Sequence, residues 1–550
     1  MILSDSETAR EIDKVATQEW GLPELSLVEA AGRECAFQLM SLETIPSGSR
    51  KQNPEILLAV GSGNNAADGL VMLKTLLLKG FCTESHCTII LSKRTGQDDS
   101  ESKLQDRSPR STSLRVLQQM GVPCLYWSEI NRADRISLFS QVDLVIDALS
   151  GTGLRGPLGG TLLEVAEAIN TGRNQNPNQR IIAIDVPSGL SDLWEPDLPM
   201  VHSDLCLAIE PVKSCLFKPA ARLRVGTIVP VTGIFPSQLL QQYSNNRLVS
   251  LQYMSASGNT GNPFVVAQDA YKHKRGVVRI FAGSLGTAGA PLLAGRGAQA
   301  AGAGLVQIVT DQILAESFLG VAGGLLVTCP EWLSDQETAG SRPPLKPDAV
   351  VVGPGLGWNL DRQKLLESII QAQKEEGFGL VLDADAIAPA AHFRFNGPVI
   401  FTPHPVEFTR LLEVLYKERG SPANPVHNIA KAVSIDPIPL LQFASAQSNA
   451  VIVLKGHVIY IAAPDGTISI VDGLEPVLAM GGSGDILSGL IGALMARMKR
   501  NTGTINPSLC GQWAVSLLIE AGHRLSKQKG FSDSMALIDI LGISAGDLWL

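Results

Sequence analysis

One aspartate in this chain stands where a base for phosphoryl transfer would stand. GGSGD, residues 481–485, is a glycine-rich turn that ends on Asp485 and runs straight into an apolar helix. Gly481, Gly482 and Gly484 let the backbone turn sharply and approach a ligand with no Cβ in the way. Ile486, Leu487, Leu490, Ile491 and Leu494 then recur at helical spacing. The first N–H groups of such a helix have no partner within it and attract anions. An aspartate at that point competes with the anion unless it has a task there. Taking a proton from an alcohol while the N–H groups hold a phosphoryl group is such a task. Taken alone, the loop is equally well an ordinary helix cap.

Other chemistry-bearing residues recur in the same grammar, a short apolar run and then a polar or glycine loop. In the first half these are GSGNNAADG (61–69), Asp147 followed by GTGLRGP (151–157), and Asp185 followed by VPSG (186–189). The oxygens of Asn65, Asp147 and Ser188 form a set with one carboxylate, which suits potassium better than zinc. In the second half they are GPGLG (353–357), DADAI (383–387), PHPVEF (403–408) and KGH (455–457). Lys455 offers a positive group to phosphate. His404 lies between two prolines that fix its backbone. Asp383 and Asp385 either orient magnesium waters or cap a helix.

These loops need strands to present them. Ile56–Val60, Cys87–Leu91, Val142–Ile146 and Ile181–Ile184 read as buried strands, as do Val277–Phe281, Leu305–Val309, Ala349–Val352, Gly379–Leu382, Val399–Thr402 and Ala450–Leu454. Short Val/Ile/Leu runs alternating with helical patterns predict mostly parallel sheets with ligands at the carboxyl ends of the strands. The predicted helices near the N-terminus are Thr8–Trp20, a second one capped by Ser26, and Leu70–Leu78 after the polar loop. Residues 93–113 read as an exposed insertion, with a helix at Leu114–Met120. Small residues dominate 282–304, which predicts close helix–sheet packing and room for a flat ligand.

At 550 residues the chain exceeds what one core supports. A formal charge of -8 argues against nucleic acid. The eight cysteines show no CxxC pairing, which disfavours a disulfide scaffold or structural zinc. With no signal-like or membrane-spanning apolar run, the expectation is a cytoplasmic enzyme off the membrane. The Ser/Gly/Asn-rich stretch around 246–265 reads as a linker between domains 1–245 and 266–550.

GNNxxDG, DALxGTGLxG and DxPSG, with LVEAAG at 27–32, resemble the epimerase domain that repairs hydrated NADH and NADPH. GPGLG, DADAI, TPHPxE, LKG and GGSGD, opened by HKRG at 273–276, resemble the ribokinase-like dehydratase that acts on the same hydrates and consumes ADP. Together the halves resemble the bifunctional NAD(P)H-hydrate repair family. The resemblance implies an α/β chain, with a Rossmann-like three-layer domain followed by a ribokinase-like three-layer domain and a homo-oligomeric assembly. It implies that Asn64, Asn65, Ala66, Ala67 and Asp68, with Gly151, Thr152, Gly153, Leu154, Arg155, Gly156 and Pro157, hold the hydrated dinucleotide. Asn65, Asp147 and Ser188 would bind potassium, and Asp185 would serve as acid/base at the epimerisation centre. In the second half it implies Ala290, Gly355 and His404 on the hydrate. Lys455, Gly456, His457, Val458, Ile459 and Gly484 would lie on ADP with its magnesium, and Asp485 would be the base. The departures are Ala66 and Ala67 for a glycine pair, Ser191 before Asp192 where an acid is usual, Val406 for a glycine, and Ile519–Glu520 for a His-Gly pair. The rival reading is a ribokinase-like small-molecule kinase fused to a binding-only Rossmann-like domain.

Overall fold

The structure is a computed structural model. It describes all residues except 43–52, 94–107, 244–245, 251–253, 255–261, 331–344, 421–427 and 550. The chain divides into two compact units, Met1–Asn246 and Arg247–Leu550.

The N-terminal unit is built on seven parallel strands. Their order is Cys124–Tyr126, Cys87–Leu91, Ile56–Val60, Leu144–Ala148, Arg180–Ile184, Leu205–Ile209 and Thr227–Val231. Alternation along each strand creates two cores. Ile56, Leu58 and Val60 face one apolar cluster, and Leu57 and Ala59 face another. Helices Ser6–Gln18, Glu24–Ser41, Asn64–Leu78 and Pro109–Gln119 supply residues to the first core, and Gly160–Gln175 to the second. This is the three-layer Rossmann-like arrangement. The first strand in sequence, Ile56–Val60, pairs with both the second and the fourth, so the chain reverses its direction of travel across the sheet there. Such a switch point leaves a crevice between the two outgoing loops.

Among the described residues the C-terminal unit repeats the logic with nine strands from Val277 onward. They run Leu326–Thr328, Leu305–Val309, Val277–Phe281, Ala349–Val352, Gly379–Leu382, Val399–Phe401, Val451–Leu454, Val458–Ala462 and Ile468–Asp472. The first seven are parallel, and the last two add antiparallel pairings. The switch point lies between Val277–Phe281 and Ala349–Val352. The small residues at 289–304 are explained by helix–helix contact as well as helix–sheet contact. A Cβ on Gly297 would lie 2.6 Å from the Ile486 carbonyl oxygen, and one on Gly489 would lie 1.9 Å from that of Ala294. Helices Gly289–Ala300 and Ser483–Thr502 therefore touch through their backbones, which fixes the helix that carries Asp485.

Three local expectations need correction. The second helix begins at Glu24 behind Pro23, so Ser26 lies inside it and is no cap. The helix expected from Leu114 starts at Pro109, capped by the Ser108 hydroxyl; most of the insertion read at 93–113 lies outside the described residues. The helix expected from Leu70 starts at Asn64, so the polar loop is half helix. Among the described residues no helix is long and apolar enough to cross a membrane.

Two candidate active sites

In the N-terminal unit, the loops leaving Ile56–Val60 and Leu144–Ala148 border a cleft of 870 Å³. Asn64, Asn65, Asp68, Gly151, Thr152, Gly153, Leu154 and Asp185 line it; Arg155, Gly156 and Pro157 do not. Ala66 and Ala67 were expected at the ligand but have fully buried side chains in the packed interior. Because the helix already begins at Asn64, their methyl groups turn into packing while Asn65 and Asp68 face the cleft.

Asn65, Asp147 and Ser188 are brought together. The Asn65 amide nitrogen donates to the Ser150 carbonyl at 3.0 Å, and the Ser188 hydroxyl donates to Asp147 Oδ1 at 2.6 Å. Ser188 N–H donates to Asp147 Oδ2 at 2.8 Å. Asn65 Oδ1 is buried with no hydrogen-bond partner. Burial pushes the Asp147 carboxyl up to about 6, although the Ser188 hydroxyl and the N–H groups of Ser188 and Leu149 pull the other way. An orphaned carbonyl oxygen beside a buried carboxyl whose ionised form burial disfavours is a donor set that a weakly charged cation would complete.

Asp185 has φ +65, the left-handed region, which a residue with a Cβ occupies at a cost. Val186 N–H donates to the Ile184 carbonyl at 2.8 Å across it, making a tight three-residue turn. The carboxylate meets Lys213 Nζ at 2.6 Å, with both side chains buried. Two further acids face this pair. Asp68 is pushed well above the usual carboxylate range by burial, then by Asp185 and Asp13, against the pull of Lys213. Asp13 is raised to about 6 by burial, with Lys213 opposing and Asp185 adding. It is exposed at the mouth of the cleft, where the surrounding wall still limits its hydration. Sequence reasoning missed Asp13. Its signal was its place next to Ile12 on the edge of the buried Ala9/Ile12/Ala16 stripe. Asp192, beside the unusual Ser191, is spent structurally, accepting from Ser6 N–H at 2.8 Å.

In the C-terminal unit, the expected residues gather at the carboxyl ends of the strands. At the switch point, a Cβ on Gly355 would meet Thr287 at 2.7 Å and Ala290 at 3.1 Å, and the Thr287 hydroxyl donates to the Gly355 carbonyl at 2.6 Å. Lys455 Nζ lies 2.8 Å from Asp383 Oδ1 and 4.0 Å from Glu407 Oε2. Burial works against this ammonium, but Asp383, Glu407 and Asp485 outweigh it and hold its pKa above the ordinary value. A Cβ on Gly484 would lie 3.4 Å from the same nitrogen, so Lys455 stands over the first turn of the Asp485 helix. Gly482, φ +90, occupies the cap position and offers no side chain to the first-turn N–H groups. Burial, with Asp383 adding and Lys455 opposing, raises the Asp485 carboxyl to about 6.

His404 is a helix cap. Its Nδ1 accepts from Val406 N–H at 3.2 Å, while Glu407 Oε2 accepts from His404 N–H at 2.8 Å, a reciprocal capping box. Asp385 Oδ2 accepts from Gly357 N–H at 2.8 Å.

A largely apolar cavity of 410 Å³ adjoins Gly484, lined by Lys455, Gly456, His457 and Ile459. Val458 does not line it. It opens the strand Val458–Ala462 and is buried. Ile519, one of the departures, forms part of the cavity wall, whereas Glu520 turns away to Arg524 at 2.8 Å.

A switch-point cleft in one doubly wound domain, and a lysine–carboxylate cluster over a glycine-capped helix in a second, define a Rossmann-like domain joined to a ribokinase-like one. A family model described as NAD(P)H-hydrate dehydratase matches residues 278–544, and one described as YjeF-related protein N-terminus matches residues 24–215. The bifunctional NAD(P)H-hydrate repair enzyme Nnr of Moorella thermoacetica is 28% identical over 570 residues, covering 98% of this chain and 96% of that one. Its counterpart in Synechocystis is 27% identical, covering 87% and 83%. The ADP/ATP-dependent NAD(P)H-hydrate dehydratase of Bacillus subtilis, solved with ATP/Mg2+, is 26% identical at a TM-score of 0.42, covering 52% of this chain and 95% of that one. The chain belongs to the bifunctional NAD(P)H-hydrate repair family.

Proposed function

We propose that this chain restores hydrated NADH and NADPH in two steps: its N-terminal unit interconverts the R and S hydrates, and its C-terminal unit dehydrates the S hydrate at the expense of ADP. The observation that carries the second step is Asp485 itself, a carboxyl raised to about 6 in the first turn of a helix with no side-chain cap, beside Lys455. The first-turn N–H groups and Lys455 hold the β-phosphoryl group of ADP, and the apolar cavity next to Gly484 takes the adenosine. Asp485 accepts the proton of the C6 hydroxyl as its oxygen bonds to that phosphorus, and the bond to the AMP oxygen breaks. The phosphate then leaves C6 with its bonding pair, assisted by the ring nitrogen's lone pair. Loss of a proton from the neighbouring carbon restores the ring double bond. The products are AMP, phosphate and the reduced nicotinamide. Single-turnover reaction of the S hydrate with ADP checks this: AMP, phosphate and NADH form in equal amounts on this account. ADP remaining unconsumed while NADH appears would refute it.

In the N-terminal unit Asp185, tied to Lys213, is the group that handles the proton as the C6 hydroxyl is lost and regained on the other face. Asn65, Asp147 and Ser188 would hold potassium, which supplies positive charge beside the phosphate-binding loops. The fit rests on the orphaned Asn65 oxygen and on the Asp147 carboxyl, whose charge burial disfavours. Magnesium would arrive on the ADP phosphates and keep most of its waters, as this ion commonly does. Among the described residues no group of three His, Cys, Asp or Glu could hold a metal by itself.

Potassium binding has a pH signature. Asp147 has a folded pKa above its unfolded value, so its own contribution to stability is fully present below the unfolded value. It is lost as pH rises toward about 6. Potassium binds the carboxylate form and should return that loss. Its stabilisation of the unit over that by choline, followed by thermal unfolding, is expected to be larger near pH 7.5 than near pH 5. An equal shift at both would remove Asp147 from the ion site.

A further inference from the structure

A second cavity in the C-terminal unit, 300 Å³ in volume, is lined by cations and has no assigned role. Arg275, Arg497, Arg500, Lys274 and His273 border it, and among the described residues no Asp or Glu lines it. It lies toward the amino ends of the strands, away from Asp485. Arg275 precedes the strand that begins at Val277, whereas the loops of the candidate active site follow their strands. Arg497 sits twelve residues beyond Asp485 on the same helix, about 18 Å along it.

Arg497 is 2% exposed. Its Nη1 donates to the Ala301 carbonyl at 2.7 Å, but Nη2 is buried with no partner. The guanidinium stands 4.6 Å from the centre of the Trp549 ring, whose own Nε1 is likewise buried and unpartnered. Arg275 donates from Nε to the Gly302 carbonyl at 3.0 Å. A Cβ on Gly302 would lie 3.0 Å from Arg497 Nη1 and 3.6 Å from Arg275 Nη2, so two guanidinium groups flank one residue. The carboxylates that pair with the cavity's cations bond the two at its rim, and neither is bonded to Arg497 or Arg275. Asp348 Oδ2 takes Arg500 Nε at 2.7 Å and Val277 N–H at 2.9 Å, and Asp269 takes Lys274 at 2.8 Å. Capping the end of helix Gly289–Ala300 explains the two bonds to carbonyls. It explains neither the unpartnered Nη2 nor two like charges brought together with no carboxylate bonded to either among the described residues. Burial and Arg275 lower the Arg497 pKa to about 9, which leaves it charged at neutral pH.

We propose that this cavity binds a phosphate-class oxyanion, with Arg497 and Arg275 as its inner ligands and Arg500 and Lys274 at its rim. Arginine forks match such oxygens in pairs. The volume exceeds what inorganic phosphate fills and leaves room for the organic part of a small phosphate monoester.

The test titrates the full chain with inorganic phosphate and, separately, with glycerol 3-phosphate at constant ionic strength in chloride. Binding is followed by calorimetry and by the thermal midpoint. The expected result is saturable binding with a rise in Tm, weakened about tenfold or more by Arg275→Gln and by the exposed-rim variant Arg500→Gln. Whichever probe binds more tightly identifies the source of the anion. Neither variant touches the glycine loop at 481–485. Unchanged phosphate binding in both would therefore place the ion at the Asp485 end and overturn the proposal, as would the absence of saturable binding by either probe.

Discussion

Asp485→Asn is expected to lower the rate of ADP-dependent recovery of NADH from the S hydrate by about a thousandfold or more, with the Kd for ADP changed by less than about threefold. Asparagine keeps the shape of the side chain and removes its basicity. The parts that hold the nucleotide remain, because Lys455 is tied to Asp383 at 2.8 Å and the first-turn N–H groups belong to the backbone. In the native chain, kcat/KM should rise as pH climbs through about 6 and then level off, as the Asp485 carboxyl gives up its proton. The variant should lack that inflection. Stability should move the opposite way. A carboxyl whose folded pKa lies above its unfolded value favours folding only while it is protonated. That contribution is complete below the unfolded pKa and is lost as pH rises through about 6. At neutral pH the variant should therefore unfold at the same temperature as the native chain or higher. Near-native turnover by a folded Asp485→Asn chain would remove this residue from the chemistry.

Asp185→Asn is expected to abolish use of the R hydrate, lowering its interconversion by about a hundredfold or more, while the S hydrate is consumed at the native rate. The choice of asparagine matters. Asp185 is the buried partner of Lys213, and truncation to alanine would leave that ammonium unpaired in the interior, a cost of about 3–5 kcal/mol. Asparagine retains an oxygen for Lys213 Nζ and, like aspartate, tolerates the left-handed backbone at φ +65. Loss of activity then reports on proton transfer and not on unfolding. Equal consumption of both hydrates by this variant would contradict the division of labour between the two units.

The strand-end motifs made the central strands of both sheets readable from sequence, because fully buried parallel strands appear as short uninterrupted apolar runs, whereas edge strands such as Cys124–Tyr126 and Leu326–Thr328 carry no such run. Asp485 stood out as a candidate for a related reason: glycine loop, acid and apolar helix are contiguous. Less was readable wherever function depends on the direction of a side chain. Ala66 and Ala67 stand inside a polar motif yet point into the core, because the helix starts two residues earlier, at Asn64. Val458 stands inside the nucleotide motif yet is buried at the start of its strand. His404 has the flanking prolines of an active-site loop, and its ring nitrogen caps the helix it opens. The grouping of acids around Asp185 was less visible: Asp68 stood out in its polar loop, but Asp13 did not. Asp13 and Asp68 are contributed by two different helices and meet Lys213 only through tertiary folding, so no local pattern joins them. The basic cavity was hidden for the same reason, since Arg275 is more than two hundred residues from Arg497 and Arg500 and meets them only in the fold.

The most direct test is recovery of NADH from separately purified S and R hydrates, followed by absorbance with and without ADP. The account predicts no recovery without a nucleotide. With ADP it predicts recovery of both hydrates by the intact chain, and of the S hydrate alone by Asp185→Asn. Recovery that does not need a nucleotide, or none of the S hydrate with ADP present, would contradict it.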